Sequence, residues 1–125
     1  MDHTIVHFEI PANDVQKLKT FYSSLFGWKI EKMPGPTEYY SILTVPVDAK
    51  GMPQRPGVNG GMMKKQMPGQ TALNYISVES IDEYAKKVVK LGGQVLHPKT
   101  EIPGIGWWAL AADPDGNQFG MLQSV

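Results

Sequence analysis

Not one cysteine occurs in this 125-residue sequence. That excludes a disulfide scaffold, thiolate zinc sites, iron–sulfur clusters and a cysteine nucleophile, and it fits a reducing compartment. No apolar run approaches the roughly 20 residues that a membrane span needs, so no membrane partner is expected. The opening Met1-Asp2-His3-Thr4 has no basic stretch followed by an apolar one. No secretory leader is read there, and a cytoplasmic location is the expectation. Charge of one sign is not in excess, since 12 Lys+Arg balance 12 Asp+Glu. Neither half of the chain carries a basic footprint, so nucleic acid is not an expected partner. The nucleophile elbow Gly-x-Ser-x-Gly and the phosphate loop Gly-x-x-x-x-Gly-Lys-Ser/Thr are missing as well,.

What is present is globular in character: 42% apolar and 19% charged residues,. A chain of this length is one ordinary domain, able to bury roughly two thirds of its unfolded surface. Thirteen glycines and ten prolines predict many turns and short strands. Thr4 to Ile10 reads as a strand that Pro11 stops. Asn13 then caps a helix, with Gln16 as its capping-box partner. Val15, Leu18, Phe21, Tyr22 and Leu25 form the helix's apolar stripe,, and Gly27 ends it. Strands follow at Trp28–Lys32, Tyr39–Val47 and Val58–Lys64, the last weakened by Gly60 and Gly61.

The second half repeats this order. Ala72–Val78 is a strand. Ser80 caps a helix with Glu83 as partner and a stripe of Ile81, Tyr84, Ala85, Val88 and Leu91, and Gly92-Gly93 ends it,. Gln94–His97, stopped by Pro98, Gly106–Ala112 and Gln118–Gln123 complete the set, the last two joined by the turn Asp113-Pro114-Asp115-Gly116-Asn117. His7 to Asn74 and Asn13 to Ser80 are each 67 positions apart, and Gly27 to Gly93 is 66. The economical reading is an α+β fold made by duplication: two β-α-β-β-β modules, residues 1–65 and 72–125 joined by a linker at 66–71, whose sheets pair into one core. An accidental repeat inside an α+β domain is the alternative.

His7-Phe8-Glu9-Ile10, Asp14 and Phe21-Tyr22-Ser23-Ser24-Leu25-Phe26-Gly27-Trp28 resemble the first module of the vicinal oxygen chelate superfamily. That superfamily includes glyoxalase I, bleomycin-resistance proteins and extradiol dioxygenases. Asp113-Pro114-Asp115-Gly116-Asn117-Gln118-Phe119 resembles its closing hairpin. The stretch from His97-Pro98-Lys99 through Trp107 to Gly120 is similar to a small single-domain, glyoxalase-related branch. The resemblance covers essentially the whole chain. It implies paired modules forming a cup-shaped mixed sheet around a ligand cavity. It also implies, in metal-dependent members, four ligands from the first and last strands of each module.

Carried onto this sequence, His7 occupies the first-strand ligand position, and Asn74 is its match in module two. Gly120 stands where the second module's glutamate would be, and Gly60 or Gly61 where the first module's would be. One strong donor of four does not make a stable site, so no metal cofactor is expected. The lesser alternative is a weakly bound divalent ion at His7, Glu9 and Asn74. The two glycines are read as emptying the centre of the cup for a ligand.

His7 and Glu9 lie two apart on one strand face and are the candidate acid/base groups, weighed against a histidine in a structural hydrogen bond and an inert ion pair. Of the adjacent pairs Tyr39/Tyr40 and Trp107/Trp108, each split across a strand's two faces, Tyr40 and Trp107 are assigned to the pocket. The expected pocket is His7, Glu9, Tyr40, Met63, Asn74, Trp107 and Gly120. Two functions are carried forward. One is a small-molecule-binding protein with a degenerate metal site. The other is a glyoxalase-like lyase or isomerase using His7 and Glu9. The resemblance also implies a homodimer, for which Phe26, Trp28 and one of Trp107/Trp108 supply an apolar patch.

Overall fold

The computed structural model describes Met1–Val125. Two helices and eight strands follow one another as β1 (Ile5–Ala12), α1 (Val15–Phe26), β2 (Lys29–Lys32), β3 (Tyr39–Leu43), β4 (Gly60–Lys64), β5 (Leu73–Ser77), α2 (Ile81–Lys90), β6 (Gln94–Ile102), β7 (Gly106–Ala112) and β8 (Gln118–Ser124). The sequence's two β-α-β-β-β runs are both there, and the fold is α+β. The chain divides into two compact units. One holds His7–Ala72, the other Met1–Val6 with Leu73–Val125. Each unit has its own apolar cluster. Neither helix is long and apolar enough to cross a membrane.

In the unit His7–Ala72 the strands lie in the order β2-β3-β4-β1. β1 runs parallel to β4, and the other pairs are antiparallel. Pro11 does not stop β1. It sits opposite Met63, and the strand continues to Ala12, whose carbonyl accepts the Lys65 N–H at 2.8 Å. Proline costs a donor here but not the extended backbone, which its fixed φ tolerates.

The helix cap is also one residue later than the sequence suggests. Asp14 is extended (φ −131°, ψ 99°), and its side chain accepts the Lys17 N–H at 3.1 Å. Gln16 reaches the Tyr40 hydroxyl at 3.4 Å instead of closing a capping box. Gly27 ends α1 in the left-handed region (φ 73°) with its N–H on the Ser23 carbonyl, as glycine allows without Cβ strain. Val15, Leu18 and Tyr22 pack against Ala12, Ile30, Tyr40, Ile42 and Met62. Phe21 and Leu25, expected in the same stripe, stay more than half exposed.

In the other unit the order is β5-β8-β7-β6, with β5 parallel to β8. Ser80 caps α2 through the Glu83 N–H at 3.2 Å, while the Glu83 side chain pairs with Lys87. Pro98 does not end β6. The strand passes it to Ile102 by shifting register against β7 between Val95 and His97 and again before Thr100, as a bulge absorbs a proline. The Asp113–Asn117 turn forms as read, with Asp113 accepting the N–H groups of Asp115 and Asn117. Hydrogen bonds from the Asn117 side chain and from backbone N–H groups hold the Asp113 carboxyl below its ordinary range. Val78, Ile81, Ala109, Ala111 and Met121 form this unit's core.

Candidate functional site

Side chains alternate across a strand, and the core composition fixes which face is which. In the unit His7–Ala72, Phe8, Ile10, Tyr40, Ile42 and Met62 lie against α1. His7, Glu9, Tyr39, Ser41, Leu43, Gly61 and Met63 therefore take the opposite face of the sheet. Tyr40, assigned to the pocket from sequence, belongs to the helix-side core, 6% exposed. Its neighbour Tyr39 takes that place. Met63 lies on the predicted face, paired with Tyr39 across β3 and β4.

Tyr39 joins the two candidate acid/base groups. Its hydroxyl donates to Glu9 Oε2 at 3.0 Å and lies 2.8 Å from His7 Nε2. The two outer groups are themselves 3.9 Å apart. A tyrosine has a single O–H, and here Glu9 receives it. The short contact to His7 then requires Nε2–H as donor and the tyrosine oxygen as acceptor. Burial pushes the His7 imidazole below its ordinary pKa of 6.5, against a smaller opposing pull from the Glu9 carboxylate. The result is a directed chain from neutral imidazole through phenol to carboxylate, in which Glu9 is the proton acceptor.

Gly61 makes this arrangement fit. It is the direct partner of both Glu9 on β1 and Ser41 on β3. A Cβ built there would overlap the hydroxyl and ring of Tyr39. The same rung recurs in the other unit, where Gly120 is the partner of Tyr75 and a Cβ at 120 would overlap the Tyr75 ring. The glycines thus do not empty space, as the sequence reading supposed. Each is the floor on which a tyrosine lies.

The structure also corrects the pairing of the two modules. With Asp14 as the cap answering Ser80, the offset is 66 positions rather than 67. Glu9 then answers Tyr75, in agreement with the two glycine rungs, and His7 answers Leu73. Asn74 is exposed and alternates away from Tyr75, so it is not the counterpart of His7. Trp107 is corrected as well, because it packs in the α2-side core. Trp108 takes the other face and stacks on His97 with ring centroids 4.4 Å apart and planes 3° from parallel. The two residues that the sequence reading missed, Tyr39 and Trp108, were each the discarded half of an adjacent aromatic pair. The burial phase of the following strand residues (Tyr40, Ile42; Trp107, Ala109, Ala111) is the signal that separates them.

The donor set does not suit a divalent ion. No group of three or more His, Asp or Glu side chains comes together in a way that could hold one. His7 and Glu9 are only two donors, and the Tyr39 hydroxyl is hydrogen-bonded to both. A stable site for a borderline ion needs three or four strong donors.

Three comparisons bear on this architecture. The family model described as Glyoxalase/Bleomycin resistance protein/Dioxygenase superfamily matches residues 4–121. CFP32 of Mycobacterium tuberculosis is 32% identical over 120 residues, which is 93% of this chain and 44% of that protein. The chain therefore spans less than half the length of that relative. A glyoxylase-like domain-containing protein of Didymella fabae is 30% identical over 115 residues, 87% of this chain and 84% of that one. Among solved structures, Streptomyces coelicolor methylmalonyl-CoA epimerase superposes with a TM-score of 0.70 over 99% of both chains at 12% identity, a likeness of fold.

Gly61→Ala should displace the Tyr39 ring and cost about 1–3 kcal/mol, the usual penalty of overpacking. Combined with Tyr39→Ala, it should cost clearly less than the sum of the two single changes, because the collision partner is gone. Additive unfolding energies in that cycle would contradict the contact. Acid stability gives a second check. Because the folded-state pKa of His7 lies below the ordinary 6.5, the unfolded chain binds the proton first on acidification. The stability that neutral His7 contributes is complete above about pH 6.5 and is lost as pH falls through the window beneath it. His7→Gln should flatten the unfolding free energy across that window, and an unchanged slope would show that His7 is not the group responsible.

Proposed function

Since the chain belongs to the glyoxalase/bleomycin resistance protein/dioxygenase superfamily, we propose that it binds a small organic ligand on the His7–Tyr39–Glu9 face without a resident metal ion. One observation carries this reading. The Tyr39 ring lies over Gly61 with its hydroxyl on both His7 and Glu9, so the space that a ligating carboxylate at position 61 would need holds a phenol. The face offers one carboxylate, one neutral imidazole and one phenol beside Met63. A few convergent polar groups beside apolar surface are the usual composition of a small-molecule site.

A second reading is favoured by the direction of the hydrogen bonds. Glu9 accepts the phenol proton, and neutral His7 donates to the phenol oxygen. A carbon acid bound here could give its proton to Glu9, while Tyr39 turns its O–H to the developing enolate oxygen and His7 supports the phenol from behind. This is the lyase or isomerase alternative, and it runs on these three side chains.

Melting temperatures with Zn²⁺, Ni²⁺, Mn²⁺ or EDTA test the first reading. An ion bound at 100 times its dissociation constant would add about 2.7 kcal/mol, a shift of roughly ten degrees for a chain of this size. We expect no such shift with any of the three and no loss with EDTA. A clear shift with one metal that Glu9→Gln removes would overturn the metal-independent reading. Deuterium uptake into the methyl group of pyruvate in D2O separates the two readings. Exchange that Glu9→Gln and Tyr39→Phe abolish would establish general-base chemistry in place of simple binding.

A further inference from the structure

The unit His7–Ala72 holds a second feature that the site above does not use. A cleft of about 390 Å³ is lined by Gly27, Lys29, Leu43, Thr44, Val45, Pro46, Val47 and Arg55, within the range of small-molecule sites. Its apolar floor is Leu43, Val45, Pro46 and Val47, and its two charged walls are both cationic. Arg55 is the only arginine in the chain. Its guanidinium has no acidic partner. The carboxylate in its own loop, Asp48, is engaged by the N–H groups of Lys50 and Met52 at 2.8 and 3.0 Å. Lys29 has only an exposed contact to Glu31 at 3.4 Å, and pairs of that kind contribute little.

The loop that carries Arg55 is built rather than slack. Asn59 accepts the N–H groups of Thr44 and Val45 at 2.7 and 3.0 Å and donates to the Val45 carbonyl at 3.2 Å. The Thr44 hydroxyl donates to the Val58 carbonyl at 2.7 Å. Val47 bridges to Pro53, and the Gln54 N–H donates to the Pro46 carbonyl at 2.9 Å. Arg55 is therefore carried at the neck of a closed loop, beside Pro46 and Val47 of the cleft floor. Two cations set over an apolar floor, one of them on a fixed backbone and without a counter-ion, form an anion-binding arrangement. A guanidinium's planar fork suits carboxylate or phosphate oxygens.

We propose that this cleft is the anion subsite of the ligand-binding face and that the ligand carries a carboxylate or phosphate group, seated between Arg55 and Lys29. This inference rests on the reading of the His7–Tyr39–Glu9 face as the ligand site. The register supplies the spacing. Lys29 and Leu43 are partners on the same face of the sheet as Ser41, Gly61 and Glu9. Leu43 is two strands across and two residues along from Glu9, about 12 Å by strand geometry. The ligand class is thus a small molecule whose anionic end is separated by about that span from the part that meets Tyr39 and Glu9.

Because Arg55 is the sole arginine, its Nε–H gives one isolated NMR signal. Inorganic phosphate and, separately, acetate are titrated into the ¹⁵N-labelled chain. Saturable shifts of the Arg55 Nε–H and of the Gly27 and Val45 amides are expected, with about tenfold weaker binding, read on those amides, in Arg55→Gln, as loss of a charge-assisted hydrogen bond implies. The stronger of the two probes identifies the group, phosphate or carboxylate. No saturable shift at these positions, or shifts unchanged in Arg55→Gln, would overturn the subsite. The metal-melting and deuterium-exchange experiments read the other end of the face, so failure there with the phosphate response intact would remove the proposed function and leave an anion site.

Discussion

Tyr39 can lie where it does only because position 61 has no side chain. The ring lies over the Gly61 backbone, and that contact sets the hydroxyl against His7 and Glu9 at once. The hydrogen bonds between these three side chains follow from it. The phenol fixes which nitrogen of His7 carries its proton and directs a hydrogen bond at the Glu9 carboxylate. It also occupies space that a larger residue at 61 would claim. A glycine in a strand usually weakens it. Here the loss is offset by the half-buried Tyr39 that the missing Cβ admits.

The same solution appears twice. Gly120 and Tyr75 repeat the rung that Gly61 and Glu9 form, with a tyrosine ring again over the glycine. In the first unit the ring arrives from β3 and the rung partner is a carboxylate, whereas in the second the rung partner is itself the tyrosine. Both units have a glycine floor and differ in what lies on it. That difference separates the polar face of one unit from the aromatic Tyr75, Trp108 and His97 of the other.

Much of this was legible in the sequence. Strand, helix and turn order followed from caps, stripes and Gly/Pro punctuation, and His7 and Glu9 stood out as alternate residues of one strand. Some things were not legible, each for a physical reason. Prolines 11 and 98 were read as stops, but proline's φ is compatible with an extended chain and a bulge absorbs its missing donor. Asn13 and Asp14 are both good caps, and only the backbone shows which one is extended. That single position shifted the alignment of the two modules and brought Asn74 wrongly opposite His7. Last, adjacent aromatics point to opposite faces, so choosing Tyr40 over Tyr39 and Trp107 over Trp108 required the burial phase of the residues beyond them. The role of Gly61 depends on a ring arriving from another strand, which no local pattern encodes.

The tautomer of His7 tests the account most directly. Long-range ¹H–¹⁵N correlation of the imidazole at pH 7 reads it without any mutation. The shared tyrosine hydroxyl predicts a neutral ring with the proton on Nε2, changing to the opposite tautomer or to a mixture in Tyr39→Phe. A ring protonated at both nitrogens at pH 7, or a proton on Nδ1 that Tyr39→Phe leaves untouched, would contradict the directed chain from His7 through Tyr39 to Glu9.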